Sequence, residues 1–258
     1  MKKVLFFALA TMMLLGCSKK NEDAVLSSYE GLLSRMENVL DQEEEMAEEQ
    51  FEAAISVLAD SIVSLAEESQ AVALRLFEDK VHYYLSLEQK ARVFEAVSLD
   101  TLEAHGFGKF YGRYLGELNT QAGSPMIDIV CGTPKGDSLR LSEVVAAHDF
   151  VLLDFWASWC RPCRELMPEL KNIYAEYKGK KLEIVSVSID KDLDAWKNMI
   201  AQLELPWLHG AIQLAREGSH PDDAYGVSYI PTLFLIGHDG VIIAREPKLT
   251  ELKMIIDK

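Results

Sequence analysis

The stretch Leu152–Leu170 reads LLDFWASWCRPCRELMPEL and joins a strand pattern, a pair of cysteines and a helix pattern. Phe150–Trp156 is an apolar run broken only by Asp154, which predicts a strand that is covered on both faces. Two cysteines follow at C-x-x-C spacing, and Pro162–Tyr177 shows the spacing of a helix. A strand that runs through a cysteine pair into a helix predicts an α/β fold with cysteine chemistry at the end of the strand.

Cys160 and Cys163 have the spacing of a redox-active disulfide. The first turn of a helix brings both sulfurs within disulfide reach, and the positive end of the helix dipole stabilises a thiolate on the first cysteine. Cys160 is therefore predicted to be the nucleophile, and Cys163 the resolving thiol that closes on it. Pro162 suits the first helical turn, because its missing N–H has no partner there. Arg161 adds a cation beside Cys160, which predicts a raised reduction potential.

A zinc site and a purely structural disulfide are the other uses of a C-x-x-C pair. Zinc usually takes four ligands, but the sequence has no second C-x-x-C pair and its six histidines show no ligand spacing. A structural disulfide over so short a loop stabilises little. The pattern therefore favours redox chemistry, and it predicts neither a metal nor a cofactor.

The rest of the C-terminal half alternates between strand and helix patterns. Strand, helix, strand, hairpin and final helix predict a mixed α/β sheet with helices on both faces and with its first two strands parallel. A strand-like run over Met126–Val130 precedes Cys131, which we interpret as a half-buried spare thiol, with a regulatory partner thiol as the alternative. The other predicted strands are Leu182–Ile189, Thr232–Ile236 and Val241–Arg245, and the other predicted helices are Leu193–Leu203 and Thr250–Ile256.

Residues 18–120 differ in composition from the rest of the chain. They are strongly acidic and contain no proline, whereas all eight prolines lie from Pro125 onward. The change predicts a helical domain over residues 24–120 and an α/β domain over 121–258. We interpret the acidic run Asp41–Glu52 as a solvated face or turn, with a basic partner as the alternative. The predicted helices are Val25–Leu40, Phe51–Leu65, Ala71–Leu85, Leu87–Val97 and Thr101–Leu118, with capping boxes at Ser86/Gln89 and Asp100/Glu103.

The N-terminus has the pattern of a secretory signal. Two lysines precede the apolar run Val4–Leu15, which is about half the roughly 20 residues that a membrane-spanning helix needs. Gly16 and Cys17 then resemble the lipobox of bacterial lipoproteins, in which the cysteine is acylated. The resemblance implies a signal peptide over residues 1–16, lipidation of Cys17 and a tether over 17–23. An ordinary signal peptide and an uncut anchor are the alternatives.

The motifs of the C-terminal half resemble those of a known family. Leu152–Leu170 resembles the active-site strand and helix of thioredoxin-fold proteins, and Tyr229-Ile230-Pro231-Thr232 resembles their cis-proline loop. The resemblance covers about residues 122–258. Further segments are similar in sequence to the exported TlpA-like redoxins, namely Gly123–Pro125, Val185–Asp190 and His238–Gly240. It implies a thioredoxin fold preceded by a small all-α domain. Residues 18–120 resemble no family that we can name.

The resemblance implies roles at matching positions. Cys160 and Cys163 are the redox pair, Pro231 is the cis-proline beside them, and the backbone of Ile230 pairs with an incoming substrate strand. Asp154 matches the buried carboxylate that exchanges protons with the resolving cysteine.

Two sequence features bear on these roles. An acid inside an apolar strand is expected to have a raised pKa, which suits a proton carrier such as Asp154. Thioredoxins have a lysine near that aspartate, and Ser186 stands at the matching position, so we expect the pKa to be tuned differently. Trp159 is predicted to form part of the rim of the active site. The predicted substrate-binding residues are Trp159, Arg161, Pro162, Ile230 and Pro231.

These features predict a membrane-tethered thiol-disulfide oxidoreductase that faces the periplasm in the cell envelope. Disulfides of exported proteins are the predicted substrates, and the resemblance implies a membrane-embedded electron donor. The net charge of -15, from 26 basic and 41 acidic residues, argues against nucleic acid as a partner.

Two other functions are compatible with parts of the sequence. A thiol peroxidase of the broader redoxin superfamily is one, but those proteins carry the attacking cysteine in a Thr-x-x-Cys setting that Ser158-Trp159-Cys160 does not reproduce. A non-enzymatic lipoprotein that binds a partner is the other. The presence of Cys160, Cys163, Asp154 and Pro231 together argues against a decayed redox site.

Overall fold

The computed structural model describes residues 2–179, 181–215 and 220–258, with the side chains of residues 2–20 outside this description. It divides into two compact units, Met1–Tyr111 and Gly112–Lys258. This division falls inside a helix and earlier than the change in composition after residue 120. The side chains of the predicted signal peptide, residues 1–16, and of Cys17 therefore lie outside this description.

The first unit is helical, as predicted. Its helices surround a core to which Met36, Ile62 and Leu76 belong. No helix in the described part of the chain is long and apolar enough to cross a membrane. The helices are α1 (Lys2–Leu40), α2 (Glu48–Glu68), α3 (Gln70–Glu78), α4 (Leu87–Ala96), α5 (Leu99–Ala104) and the start of α6 (Gly108–Asn119), with short 3-10 helices at Glu43–Glu45 and Val81–Tyr84.

Two predicted helices are each divided by a residue with a left-handed backbone. The helix predicted over Ala71–Leu85 is interrupted at Lys80, which has a φ of 61°. Helix α3 ends before it at Glu78, and a short 3-10 helix follows it. The helix predicted over Thr101–Leu118 is divided into α5 and α6 at Gly106, which has a φ of 80°. Both single-helix predictions are wrong because the apolar spacing continues across the turns.

One of the two predicted capping boxes is present. Ser86 and Gln89 exchange hydrogen bonds at the start of α4, which confirms that box. The box predicted at residues 100 and 103 is wrong. Helix α5 begins earlier than predicted, at Leu99, and its N-cap residue is Ser98, whose hydroxyl accepts a hydrogen bond from the Thr101 N–H.

The second unit is built on a seven-stranded sheet in the order β2-β1-β5-β4-β3-β6-β7. Strand β4 pairs in parallel with β3 and with β5, and the remaining pairs are antiparallel. This confirms the mixed sheet and its parallel first pair. The strands are β1 (Val130–Gly132), β2 (Ser138–Arg140), β3 (Phe150–Trp156), β4 (Leu182–Ser188), β5 (Leu208–Ala211), β6 (Thr232–Gly237) and β7 (Ile242–Arg245).

Both faces of the sheet are covered. The helices of this unit are α7 (Leu141–Ala147), α8 (Arg161–Tyr177), α9 (Leu193–Gln202), α10 (Pro221–Ala224) and α11 (Leu249–Ile256), with a short 3-10 helix at Ile212–Leu214. Residues of α8, α9 and α11 pack on one face, and α7 packs on the other. Successive side chains of a strand point to opposite faces, and Leu152 and Trp156 lie in the α8 core. Asp154 therefore faces α8 as well.

The strand predicted over Met126–Val130 is wrong in its bounds. Strand β1 is Val130–Gly132, so Cys131 lies within the strand and is buried rather than half-buried, which corrects that interpretation. The Met126 N–H donates instead to the carbonyl oxygen of Gly240 at 2.7 Å, outside any regular strand. Burial raises the pKa of the Cys131 thiol to about 11, so it is protonated at neutral pH.

The end of α6 packs into the second unit through close backbone contacts. A Cβ atom at Gly116 would collide with the backbone of Asp223 and Gly226. Arg245 Nη1 also donates to Thr120 Oγ1 at 2.9 Å, just after the helix. These contacts hold the C-terminal part of α6 within the second unit.

Candidate active site

Cys160 and Cys163 form a disulfide at the start of α8. Cys160 is the N-cap residue of the helix, Cys163 lies in the first turn, and their Cα atoms are 5.3 Å apart. The Cys163 N–H points at Cys160 Sγ over 3.2 Å. In the reduced protein this N–H and the helix dipole both stabilise a thiolate on Cys160.

The two sulfurs differ in exposure. Cys160 is 5% exposed and Cys163 is completely buried. A substrate disulfide can therefore reach Cys160 before Cys163. This order is the one that the predicted roles of nucleophile and resolving thiol require.

The Ile230–Pro231 loop lies against Cys160. The peptide bond between these residues is cis, as the resemblance implies, and the Ile230 carbonyl oxygen is 3.7 Å from Cys160 Sγ. Trp159 and Tyr229, the neighbours of Cys160 and Ile230 in sequence, are 64% and 55% exposed. Trp159 thus places exposed aromatic surface directly before Cys160 in the chain, and the cis-proline loop carries a second exposed aromatic side chain, Tyr229.

The remaining predicted residues of the substrate side belong to the first turn of α8. Pro162 lies there as expected. The Arg161 side chain is 80% exposed, and its Nε donates to Glu165 Oε1 at 2.7 Å. Because this cation is solvated and paired with a carboxylate, it contributes little to the field at Cys160. The structure therefore gives no basis for the rise in reduction potential expected from Arg161.

Asp190 anchors the loop that leads to Cys160. This buried carboxylate accepts hydrogen bonds from Ser158 N at 2.8 Å, from Ser158 Oγ at 2.6 Å and from Ser188 Oγ at 2.7 Å. Asp190 has no predicted role. A signal is nonetheless present, because Ser186, Ser188 and Asp190 alternate in a buried segment where polar groups need partners.

Asp154 is fully buried in β3, an interior strand of the sheet. Its Oδ2 accepts a hydrogen bond from Ser186 Oγ at 2.7 Å, and its Oδ1 has no hydrogen-bond partner among the described residues. Burial raises the pKa of Asp154 to about 7, against a smaller opposing effect of the Ser186 hydrogen bond. A carboxyl group that titrates near neutral pH can both accept and release a proton there.

The groups that could hold a metal lie elsewhere. In the part of the chain that the structure describes, one set of side chains, His220, Asp222 and Asp223, brings its ligand atoms within 4.8 Å of one another. Asp223 also accepts a hydrogen bond from Arg113 Nε at 2.8 Å. Neither redox cysteine belongs to this set.

The disulfide lies at the N-terminus of α8, after the end of β3, and the cis-proline loop before β6 lies against it. This is the arrangement of a thioredoxin-fold domain with a thiol-disulfide active site. A thioredoxin-like family model matches residues 148–242.

A relative with a stated activity narrows this class. The thiol-disulfide oxidoreductase ResA of Bacillus thuringiensis subsp. konkukian is 32% identical over 140 residues, which are 54% of this chain and 78% of that protein. ResA of Bacillus subtilis is 27% identical over 159 residues, 61% of this chain and 86% of that protein. A solved thiol-disulfide oxidoreductase from Bacteroides fragilis aligns with 29% identity and a TM-score of 0.47 over 52% of this chain and 98% of that one. The chain belongs to the ResA-like family of thioredoxin-fold thiol-disulfide oxidoreductases.

The buried Asp154 predicts a specific pH dependence of stability. The folded protein keeps this proton up to a pKa of about 7, whereas the unfolded chain loses it at the ordinary value of 3.8. The contribution of Asp154 to the free energy of unfolding therefore falls as the pH rises through this window and is level above it. We expect Asp154→Asn to be more stable than the wild type at pH 8, by up to about 4 kcal/mol, and to lose this advantage near pH 4.

Denaturant unfolding of the oxidised wild type and of Asp154→Asn at a series of pH values measures this difference. All other titrating groups are common to the two proteins, so their effects cancel. Two curves that stay parallel from pH 4 to pH 8 would show that Asp154 does not retain its proton on folding.

Proposed function

We propose that this chain is a lipid-anchored reductase of protein disulfides that faces the periplasm in the cell envelope. The observation that carries the reductase assignment is the Asp154 carboxyl group, which lies on the sheet face that α8 covers and titrates near neutral pH. The sequence from Lys2 to Cys17 supports the anchor.

The reaction begins on the reduced enzyme. The Cys160 thiolate attacks one sulfur of a substrate disulfide, that S–S bond breaks, and the released substrate sulfur takes a proton. A mixed disulfide now joins Cys160 to the substrate. Ile230 holds the substrate segment through its backbone, and Trp159 and Tyr229 offer it apolar surface.

Resolution of the mixed disulfide uses the buried half of the site. Asp154 accepts the proton of Cys163, and the resulting thiolate attacks Cys160 Sγ. The bond between Cys160 and the substrate breaks, and the second substrate sulfur leaves as a thiolate and is protonated. The substrate has gained two electrons and two protons, and the enzyme is left with its Cys160–Cys163 disulfide.

For the enzyme to act again, its Cys160–Cys163 disulfide must be reduced, which requires a donor of two electrons and two protons. A protein anchored outside the cytoplasm cannot draw directly on cytoplasmic reductants, so we propose a dithiol donor embedded in the membrane. The lipid on Cys17 would keep the enzyme within reach of that donor.

Single substitutions at the two cysteines test the reductase assignment. We expect Cys160→Ser to abolish reduction of a protein disulfide such as that of insulin, because the attacking sulfur is absent. We expect Cys163→Ser to accumulate a mixed disulfide on Cys160, because the step that releases substrate is blocked. Non-reducing electrophoresis and mass spectrometry detect the trapped species.

Cys131→Ser is the matched control, because its thiol is buried in β1 and has no part in the proposed reaction. It should reduce the substrate at the wild-type rate. Turnover of hydrogen peroxide without reduction of the protein disulfide would instead indicate a thiol peroxidase. Loss of neither activity in Cys160→Ser would leave the helical unit as the place to look for function.

The anchor has its own test. In bacterial cells, we expect the wild type to incorporate labelled palmitate and to fractionate with membranes, and Cys17→Ser to do neither, because its residue 17 has no thiol to acylate. Cys131→Ser again serves as the control and should remain labelled. Membrane association of an unlabelled Cys17→Ser protein would point to an uncut N-terminal anchor.

A further inference from the structure

Trp207, Ser186 and Asp154 form a hydrogen-bonded chain on the sheet face that α8 covers. Trp207 Nε1 lies 2.9 Å from Ser186 Oγ, and Ser186 Oγ lies 2.7 Å from Asp154 Oδ2. All three side chains are buried. Ser186 is therefore the link between an indole and the carboxyl group of the proposed proton carrier.

When Asp154 is ionised, only one placement of hydrogens satisfies this chain. An indole N–H donates and cannot accept, so Ser186 Oγ accepts in its bond with Trp207. The serine hydroxyl has a single hydrogen, which is left to point at Asp154 Oδ2. Trp207 thus orients Ser186 as a donor to Asp154, and a donated hydrogen bond favours the ionised carboxylate.

Packing holds Trp207 in this position. Its ring meets the ring of Tyr174, on α8, edge-on with 5.7 Å between centroids. It directly precedes β5, whose residue His209 stands opposite Ser186 in the parallel register. Trp207 is therefore fixed both by the helix that carries the redox pair and by the strand beside Ser186.

Few other groups can influence Asp154. Strand β6 places the apolar Leu233 opposite it in register, and α8 contributes Cys163 to the core on this face. His209, one strand beyond Ser186, has its pKa lowered by burial to about 4 and is neutral at pH 7. Among the described residues the Ser186 hydroxyl is therefore the group that offsets the burial of Asp154.

We propose that Trp207 orients the Ser186 hydroxyl toward Asp154, and that this hydrogen bond stabilises the Asp154 carboxylate, which must be present to accept the proton of Cys163. Ser186 and Trp207 are positioning residues, because they act on the carboxyl group and not on the substrate. The inference rests on the proposed function for the use of that proton. In the step concerned, the Cys163 S–H bond breaks, its proton moves to Asp154, and the Cys163 sulfur bonds to Cys160 as the substrate sulfur leaves.

The titration of Asp154 in the oxidised full chain tests this proposal directly. Carboxyl ¹³C NMR follows the Asp154 side chain in the absence of substrate and electron donor. We expect Ser186→Ala to move the titration upward by about one pH unit, and Trp207→Phe to move it in the same direction by less. At pH 7 an upward shift of one unit lowers the ionised fraction about fivefold, so release of substrate from the mixed disulfide should slow to a similar extent.

Trp196→Phe is the matched control for Trp207→Phe. Trp196 is a buried tryptophan of α9, and its Nε1 has no hydrogen-bond partner among the described residues. The same substitution there should leave the Asp154 titration in place. Equal shifts in the two variants would overturn the role of Trp207, since they would reflect general loosening of the core.

The outcomes separate this inference from the proposed function. An Asp154 titration that does not move in Ser186→Ala overturns the inference, whatever the enzyme does to disulfides. A titration that moves while the resolution rate stays constant supports the action of Ser186 on Asp154 and contradicts the proton transfer in the proposed reaction. A titration and a rate that move together support both.

Discussion

The Asp154 carboxyl group occupies an interior strand of a sheet that is covered on both faces, where water does not reach it. Placing an ionisable group there opposes folding at any pH at which the group must be charged. Ser186 supplies one hydrogen bond to it, and the second oxygen has no hydrogen-bond partner among the described residues. The carboxyl group therefore keeps its proton up to a pKa of about 7, near which it can both release and take up a proton, and the proposed reaction depends on this exchange.

The position of the cysteines follows from the same strand. Strand β3 ends at Trp156, a short loop follows, and α8 begins with Cys160 as its N-cap residue. Asp190 fixes that loop through Ser158, and the cis-proline loop closes on Cys160 from the other side. The reactive sulfur is therefore held by regular elements and by buried hydrogen bonds, which is what a reaction between two nearby sulfurs requires.

The sequence is most informative where chemistry and chain order coincide. The strand, the cysteine pair and the helix are contiguous, so Leu152–Leu170 predicts their arrangement, and Asp154 stands out as an acid in an apolar run. Ser186, Trp207 and Asp190 act through contacts between separate elements of the fold. No local sequence pattern predicts that the Trp207 indole lies against the Ser186 hydroxyl. Likewise, helical spacing predicts α5 and α6 as one helix because it does not register the left-handed turn at Gly106.

The reduction potential of the Cys160–Cys163 pair tests the central claim, that the site is built to reduce disulfides. The full chain is equilibrated with thiol buffers of known potential, and the oxidised fraction is followed by tryptophan fluorescence. A reductase predicts a value near the roughly -270 mV that is typical of thioredoxin. A value near roughly -120 mV, which is typical of an oxidant that makes disulfides, would contradict it.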